Sequence, residues 1–331
     1  MAEYEGIDDA LEAIPAREAG PIVLGIDVGG TSVKMGVVTQ RGEIVATAKV
    51  PTGTLEGAEA LARVCDAAVS LASDAGTAAG DIAGIGLDVP GVVLEDGTLA
   101  MAPNITLDLD GLRAALAAAF PAATIATIND ANAAALGETW VGAGAGADSL
   151  VMLTLGTGVG GGVVIGGRVI AGAHGAAGEI GHLCMNFDET ETCGCGRRGC
   201  LEQYASARGL IRLYREECAA DGAAEVEIAH ATDALAIFEA ARSGNEQARR
   251  ACKRLGTILA RALAAIAVTV DSDAFVLGGG MCGGWDTFGQ TCVDAYRAFA
   301  IPGCANTPIR VATLGNAAGL LGAARHALAA L

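Results

Sequence analysis

The sequence is poor in basic and aromatic residues. It contains 21 Lys and Arg against 38 Asp and Glu, which gives a formal net charge of −17, and only 4% of the residues are aromatic. An acidic surface repels nucleic acid and anionic membranes, so we expect neither as a partner. An anionic ligand would need a local site built from backbone amides and a few cations.

Segments typical of secreted or membrane proteins are also missing. Residues 1–20 are acidic and lack the basic and apolar stretches of a signal peptide, and we interpret them as an N-terminal extension. The longest apolar helical run, residues 255–270, contains Arg261 and is too short to cross a bilayer. Seven of the ten cysteines stand singly without a disulfide pattern. We therefore expect a soluble, cytoplasmic protein with reduced thiols.

The chain is instead rich in glycine and carries a repeated pattern. It has 48 glycines in 331 residues, a length sufficient for two domains. A strand, a glycine turn with a threonine and a second strand begin at residue 22, and the same order begins again at residue 149. This repetition predicts an α/β protein with a duplicated start. We predict a first domain at residues 21–129, to which a closing helix at 316–331 returns, and a second domain at 130–315.

Four potential metal ligands are concentrated near the middle of the chain. They are His182, Cys193, Cys195 and Cys200. One imidazole and three thiolates are the ligands of a closed tetrahedral zinc site, which leaves no position for water. The sequence therefore predicts a structural Zn²⁺ ion.

Other residues near this cluster bear on its interpretation. The carboxylates of Glu179 and Glu202 lie on either side of it, and a bound ion would hold them in place. The alternative is a set of buried or disulfide-bonded cysteines, but Cys-X-Cys is a poor spacing for an internal disulfide. Cys184, two residues after His182, is a rival ligand.

Three glycine-rich turns follow predicted strands. Their candidate binding residues are Asp27, Gly29, Gly30, Thr31 and Lys34 in the first, Gly156, Thr157 and Gly158 in the second, predicted turn at residues 156–162, and Gly278, Gly279 and Gly280 in the third. The residues after the first turn alternate as a strand does, which excludes a Rossmann fingerprint or a Walker A loop, since both need a helix there.

A glycine hairpin can still direct backbone N–H groups at phosphate oxygens. In the first turn, Thr31 adds a hydroxyl, Lys34 a cation, and Asp27 a carboxylate near where Mg²⁺ would sit. The glycines of the third turn would let a nucleotide base lie against bare backbone. Glycine turns are common in such a chain, but three at strand ends together predict a nucleotide between the two domains.

Asp130 ends an apolar strand and opens an alanine-rich helix. Considered alone it is a helix N-cap, because Asp is a preferred capping residue. Beside a nucleotide site it is also a candidate general base, since phosphoryl transfer to an alcohol needs a carboxylate that accepts the hydroxyl proton. Both interpretations remain open at the level of sequence.

Together these motifs resemble the ROK family of sugar kinases and repressors, within the actin-like ATPase superfamily. The resemblance extends from about residue 22 to 325, and its most specific part is Glu-Ile-Gly-His at 179–182 followed by Cys-Gly-Cys-Gly-Arg-Arg-Gly-Cys-Leu-Glu at 193–202. It implies two actin-like (ribonuclease H-like) domains that close on ATP and a sugar. It also implies a set of residues that hydrogen-bond a hexose: Asn104, Asn129, Asp130, Glu179, His182 and Glu202.

By this resemblance we expect an ATP-dependent, Mg²⁺-dependent glucokinase that forms a homo-oligomer, either a dimer or a tetramer. Kinases for N-acetylmannosamine, N-acetylglucosamine, fructose or allose, and glucokinases that use polyphosphate, share the motifs. A sugar-responsive repressor is a further alternative, but the acidic residues before the first strand have the wrong charge to bind DNA. A plain ATPase stabilised by zinc would turn over without sugar.

Overall fold

The computed structural model describes residues 20–102, 105–222 and 233–331. Within these ranges, the chain forms groups of strands and groups of helices. The strands are β1 (Ile22–Val28), β2 (Ser32–Val38), β3 (Ile44–Pro51), β4 (Ile82–Val89), β5 (Val92–Val93), β6 (Leu99–Met101), β7 (Thr124–Asn129), β8 (Ser149–Leu155), β9 (Val159–Ile165), β10 (Arg168–Val169), β11 (Ala274–Gly278) and β12 (Ile309–Val311). The helices are α1 (Ala58–Asp74), α2 (Leu109–Ala119), α3 (Asp130–Val141), α4 (Glu202–Ala205), α5 (Ala207–Ala220), α6 (Ala234–Arg242), α7 (Glu246–Val270), α8 (Trp285–Phe299) and α9 (Ala318–Ala329).

The longer strands form two five-stranded sheets of the same topology. The first has the order β3-β2-β1-β4-β7 and the second the order β10-β9-β8-β11-β12, while β5 pairs with β6 alone. In each sheet the three strands that are consecutive along the chain pair antiparallel, and the remaining two add in parallel. The repeated pattern in the sequence therefore reflects a repeated sheet topology.

One predicted boundary is wrong. The second glycine turn is shorter than predicted, because β9 begins at Val159 and includes the glycines at 160–162. A Cβ on Gly162 would lie 2.7 Å from the Cβ of Ala135 in α3, so small residues here let the helix approach the strand. Farther along the chain, Ser206 separates α4 from α5; its hydroxyl accepts a hydrogen bond from the Gly209 amide at 3.1 Å and so caps α5.

The two helices α3 and α9 pack closely against each other, and α9 also covers β1 and β4 of the first sheet. A Cβ on Gly322 would overlap the carbonyl oxygen of Ala133, and one on Gly86 would overlap that of Ala323. This packing explains part of the glycine and alanine content, because only small side chains allow such close backbone approach. The division into domains stays a prediction. No helix in the described residues is long and apolar enough to span a membrane.

Candidate functional site

The first glycine turn connects β1 to β2 and places a charged pair beside it. Asp27 and Lys34 are opposite each other in the antiparallel register, and the Lys34 Nζ lies 2.9 Å from the Asp27 Oδ2. The turn closes with a hydrogen bond from the Gly29 amide to the Ser32 carbonyl at 3.1 Å. A Cβ on Gly30 would meet no atom within 4 Å, so the tip of the turn is open on that side.

The second turn connects β8 to β9 and is held by a glutamate from far along the chain. The Gly156 amide donates to the Gly158 carbonyl at 2.9 Å, which leaves Thr157 exposed at the tip. The Glu202 Oε2 accepts a hydrogen bond from the Val159 amide at 3.0 Å. Glu202 thus connects the second turn to the start of α4.

The third glycine segment follows β11 and lies against the second turn. Gly279 has a φ of 86°, and a Cβ on it would overlap the carbonyl oxygen of Leu155, the last residue of β8. Only glycine fits a positive φ with so little space. Gly280 then begins a short 3₁₀ segment, Gly280–Gly284. The structure therefore brings the second and third predicted glycine sites together.

Asn129, and not Asp130, is the N-cap of α3. The Asn129 Oδ1 accepts a hydrogen bond from the Asn132 amide at 3.0 Å. Its Nδ2 donates to the Gly91 carbonyl at 2.8 Å and lies 2.9 Å from the Asp130 Oδ1. Capping is thus done by the asparagine, and the aspartate is the first residue of the helix, with its side chain exposed.

The surroundings of Asp130 favour its protonated form. Desolvation by nearby protein raises the pKa of the Asp130 carboxyl, although hydrogen bonds from Ala131 and Asn129 counter part of the rise. The neighbouring charge of Asp27 raises this pKa further. A carboxylate with a raised pKa binds a proton more readily, which is a property of general bases that work near neutral pH.

Asp88 is a third carboxyl in this region, and no motif in the sequence pointed to it. It is only 2% exposed and pairs with Asp27 in the parallel register of β1 and β4. Burial raises the pKa of Asp88 well above its usual range; the charges of Asp27 and Asp130 add to the rise, and Lys34 lowers it. The sequence feature that could have identified Asp88 is its position as the one acidic residue inside the apolar run at residues 82–89.

The predicted metal ligands converge. One ligand atom from each of His182, Cys193, Cys195 and Cys200 lies within 4.8 Å of all the others. The Cys195 and Cys200 Sγ atoms are 3.6 Å apart, and the Cys193 Sγ lies 4.0 Å from the His182 Nδ1. Cys184 is not in this group; its Sγ lies 3.7 Å from the carbonyl oxygens of Asn186 and Arg198 instead.

The chemistry of this donor set fits a divalent cation. Burial raises the pKa of Cys193, and it raises the pKa of Cys200 to about 12. The pKa of Cys195 is instead lowered to about 7, mainly by a hydrogen bond from the Arg197 backbone. Without a cation only one thiol ionises readily. A bound Zn²⁺ would stabilise all three thiolates.

The metal cluster and the second turn share Glu202. The Glu202 Oε1 lies 3.8 Å from the Cys193 Sγ, while its other oxygen holds the Val159 amide. On the opposite side of the cluster, the His182 Nε2 lies 3.9 Å from the Glu179 Oε2. His182 therefore turns one ring nitrogen toward the thiols and the other toward a carboxylate, as metal-binding histidines usually do.

The acidic loop between His182 and Cys193 is anchored by a buried glutamate that the sequence did not reveal. Glu189 is paired with Arg212 of α5 at 2.6 Å and accepts a hydrogen bond from Tyr204. Burial would raise the pKa of Glu189, but hydrogen bonds from Tyr204, the Glu191 amide and Arg212 lower it to about 2. The loop is thereby joined to the helices that follow the metal cluster.

The candidate residues form one connected region. Asp27, Asp88 and Asp130 are electrostatic neighbours, and a Cβ on Gly160 of β9 would lie 3.5 Å from that of Ala131, next to Asp130. From β9 the contacts continue through Glu202 to the metal cluster. Asn104 lies outside the described residues.

Comparisons with known proteins agree with this arrangement. The ROK family matches residues 23–330. A glucokinase from Halalkalibacterium halodurans is 35% identical over 306 residues, covering 90% of this chain and 92% of the relative. An N-acetylmannosamine kinase from Escherichia fergusonii is 35% identical over 308 residues, covering 91% and 96%.

A solved structure matches over almost the same length. The ROK family glucokinase from Streptomyces griseus, in complex with glucose and AMPPNP, is 33% identical with a TM-score of 0.68, and the match covers 92% of this chain and 98% of that one. The predicted actin-like fold is confirmed. With two sheets of equal topology, paired glycine turns and a His-Cys₃ cluster, all within a match that spans nearly the whole chain, this protein belongs to the ROK family.

Proposed function

We propose that this protein is an ATP-dependent hexokinase that phosphorylates the 6-hydroxyl of a hexose, with D-glucose as its substrate. The observation that carries the proposal is the junction of β7 and α3, where Asn129 caps the helix and Asp130 is exposed close to the charge of Asp27 at the first glycine turn. The similarity to a glucokinase that was solved with glucose and an ATP analogue supports both the sugar and the donor.

In this proposal Asp130 is the general base. As the hexose O6 bonds to the γ-phosphorus of ATP, the Asp130 carboxylate accepts the hydroxyl proton. The bond from the γ-phosphorus to the bridging oxygen breaks, and ADP leaves with that electron pair. The raised pKa of Asp130 suits this step, because a stronger base removes the proton more easily at neutral pH.

The glycine turns hold the phosphates. The turn of Gly29, Gly30 and Thr31 faces them from one sheet and that of Gly156, Thr157 and Gly158 from the other, while Gly278, Gly279 and Gly280 adjoin the adenosine. The Gly29 and Gly156 amides close their own turns, so the phosphate donors are the other amides of each turn. Lys34 supplies a cation. Mg²⁺, when bound, would neutralise phosphate charge, and Asp27 is the carboxylate that would lie beside it.

The hexose hydroxyls bind to polar side chains on both sides of the cleft: Asn129, Glu179, His182 and Glu202, with Asn104 also assigned although it lies outside the described residues. Each carboxylate or amide can engage adjacent hydroxyls and thereby reject analogues that lack one. A Zn²⁺ ion held by His182 and the three cysteines would keep His182 and Glu202 in position, a structural role.

A kinase for N-acetylmannosamine is the second candidate, because such a relative is as similar to this chain as the glucokinase is. The test is a coupled assay of ADP release over glucose, N-acetylmannosamine, N-acetylglucosamine, fructose and allose, with a parallel assay of polyphosphate as donor. We expect ATP-dependent turnover with glucose. Turnover with N-acetylmannosamine alone would transfer the assignment to that sugar, and equal ADP release without any sugar would indicate a plain ATPase.

We also propose that the enzyme is cytoplasmic and forms a homo-oligomer. Ten free cysteines, including three in a thiolate metal site, are suited to a reducing compartment. Sedimentation at two protein concentrations would test the oligomer, and a single species at the mass of one chain would contradict it.

A further inference from the structure

A cavity of about 370 Å³ lies behind the segment that carries Asn129 and Asp130. It is bounded by β7 at the edge of the first sheet, by α3 and α9, and by the turn between β9 and β10 of the second sheet. Its volume is in the range of small-molecule sites. Asn129 borders the cavity, but the metal cluster and the three glycine turns do not.

The cavity collects cations in a chain that has few. Arg113 of α2, Arg168 of β10, and Arg325 and His326 of α9 line it. Among the described residues, no hydrogen bond or ion pair holds the guanidinium of Arg113 or Arg168, while that of Arg325 lies 5.7 Å from the ring centroid of Trp140. The arginines therefore keep donors available for a ligand.

Two acidic residues also line the cavity and offset part of this charge; hydrogen bonds from Thr98 and then the charge of Arg113 lower the pKa of Asp96. Glu95 and Asp96 are both exposed, and the Asp96 carboxylate already accepts a hydrogen bond from the Thr98 amide at 2.9 Å. Three arginines face two carboxylates, so the local charge is positive although the chain carries −17. An anion would be attracted here and repelled by most of the remaining surface.

Two residues that line the cavity each carry a buried polar atom with no hydrogen-bond partner among the described residues. These atoms are the Thr127 Oγ1 on β7 and the Asn132 Oδ1 on α3, in side chains of residues that are 4% and 5% exposed. Leaving such a group without a hydrogen bond costs about 1–3 kcal/mol, so native proteins rarely do so without a reason. A ligand with hydroxyl groups would satisfy both atoms.

We propose that this cavity is a second ligand site, which binds a small phosphate monoester that carries hydroxyl groups. The guanidinium groups of Arg113, Arg168 and Arg325 match phosphate oxygens in charge and geometry. Thr127 and Asn132 meet the hydroxyls. Because these two residues flank Asn129 and Asp130 along the chain, occupancy restrains the segment that caps α3.

The proposal does not depend on turnover, and a binding experiment tests it. The chain has two tryptophans, and Trp285 packs against Phe288 in α8, away from the cavity. In the Trp285→Phe variant, Trp140 is the sole tryptophan and reports on its neighbour Arg325. The probes are inorganic phosphate and glucose 6-phosphate, titrated without nucleotide while Trp140 fluorescence is recorded.

We expect a saturable change with both probes and tighter binding of glucose 6-phosphate. Arg113→Gln and Arg168→Gln, which leave Trp140 and its contact intact, should each raise the apparent Kd about tenfold, the worth of one charge-assisted hydrogen bond. Arg297→Gln, an exposed arginine on α8, is the matched control and should leave the Kd unchanged. Melting curves confirm that each variant is folded.

Lys34→Ala distinguishes the cavity from the glycine turns. Binding in the cavity should persist in this variant, since Lys34 does not line the cavity. If Lys34→Ala abolishes the response while Arg113→Gln and Arg168→Gln leave it intact, the phosphate binds only at the turns and the proposal is wrong. The absence of a saturable response to either probe would also overturn it.

Discussion

Asp27 and Asp88 are adjacent on the parallel strands β1 and β4, yet within the described part of the chain only Asp27 forms an ion pair, with Lys34 at 2.9 Å. Both carboxyls approach Gly319 of α9: a Cβ there would overlap the Asp88 Oδ2 and would lie 3.6 Å from the Asp27 Cγ. The Asp88 Oδ1 is buried without a hydrogen-bond partner among the described residues. Burial, together with the charges of Asp27 and Asp130, therefore raises the pKa of Asp88 well above its usual range and favours its neutral form.

Asp88→Asn should stabilise the protein at neutral pH and flatten its pH dependence. Because the folded-state pKa of Asp88 is raised, the folded state binds more protons than the unfolded state, so stability falls as pH rises from the ordinary carboxyl pKa through the raised value. Asn carries no proton to lose. We expect a gain of about 1–3 kcal/mol at neutral pH, measured by urea unfolding without Mg²⁺ across the acid-to-neutral range. If the free energy of unfolding of the variant changes with pH as steeply as that of the parent protein, the prediction is wrong.

Asp130→Ala should silence the enzyme without unfolding it. Loss of a general base costs about 10²–10⁴-fold in kcat, whereas the helix keeps its cap at Asn129. The matched control is Asp110→Ala, which removes another exposed aspartate from the first turn of a helix, α2, and should leave kcat unchanged. Coupled ADP assays and melting curves provide the measurements, and a retained kcat would remove Asp130 from the mechanism.

The pH profile should shift when Asn129 is removed. A base is active when deprotonated, so kcat/KM rises with pH through the raised pKa of Asp130. The Asn129 hydrogen bond lowers this pKa, and Asn129→Ala should therefore move the acid limb to higher pH. The same variant should lose about 1 kcal/mol of stability with its helix cap.

Asn245→Ala separates these two effects. Asn245 caps α7 through a hydrogen bond from the Ala248 amide at 2.8 Å, and it is not among the residues we assign to the site. This variant should lose similar stability and keep the acid limb of the parent protein. If the acid limb of the kcat/KM profile shifts equally in Asn129→Ala and Asn245→Ala, the shift comes from loss of helix stability and not from the hydrogen bond to Asp130.

Removal of one cysteine ligand should release the metal. Cys195→Ser should weaken zinc retention by at least about tenfold, because changes even to groups outside the ligand shell commonly cost that much. Without the ion, His182 and Glu202 lose their support, and both turnover and the melting temperature should fall. Cys184→Ser, a nearby exposed cysteine outside the group, should retain zinc. Metal analysis after dialysis measures this, and zinc loss from both variants alike would count against the assigned ligands.

Glu138→Ala should be strongly destabilising. Glu138 is fully buried in α3 and accepts hydrogen bonds from the Ala143, Thr313 and Leu314 amides at 2.7–2.9 Å. Removing the acceptor leaves three amides unpaired, at about 1–3 kcal/mol each. Glu138→Gln keeps one oxygen and should lose less. Urea unfolding ranks the two variants, and a loss under 1 kcal/mol for Ala would show that water replaces the carboxylate.

The sequence was informative where chemistry depends on neighbours along the chain. The four predicted metal ligands lie within 19 residues, and their spacing alone indicated one site; the structure brings their ligand atoms within 4.8 Å of one another. The first glycine turn was also predicted correctly, because alternation after it indicated a strand and not a helix. In contrast, the glycines at 160–162 were misassigned to a turn. Gly160 and Gly162 let α3 approach β9, and Gly161 lets the backbone of Gly178 and the side chain of Ile180 approach it.

Roles that depend on strands distant in sequence were decided only by the tertiary structure. Either Asn129 or Asp130 could have capped α3 as far as residue type goes. The geometry of the junction between β7 and α3 makes Asn129 the cap, so that the Asp130 side chain is not used for capping. Burial of Asp88 beside Asp27 follows from the parallel pairing of β1 and β4, which are separated by more than 50 residues. The cationic cavity likewise needs Arg113, Arg168 and Arg325 from three separate helices and strands. Local spacing specifies ligands and turns, but electrostatic neighbours across a sheet exist only once the chain has folded.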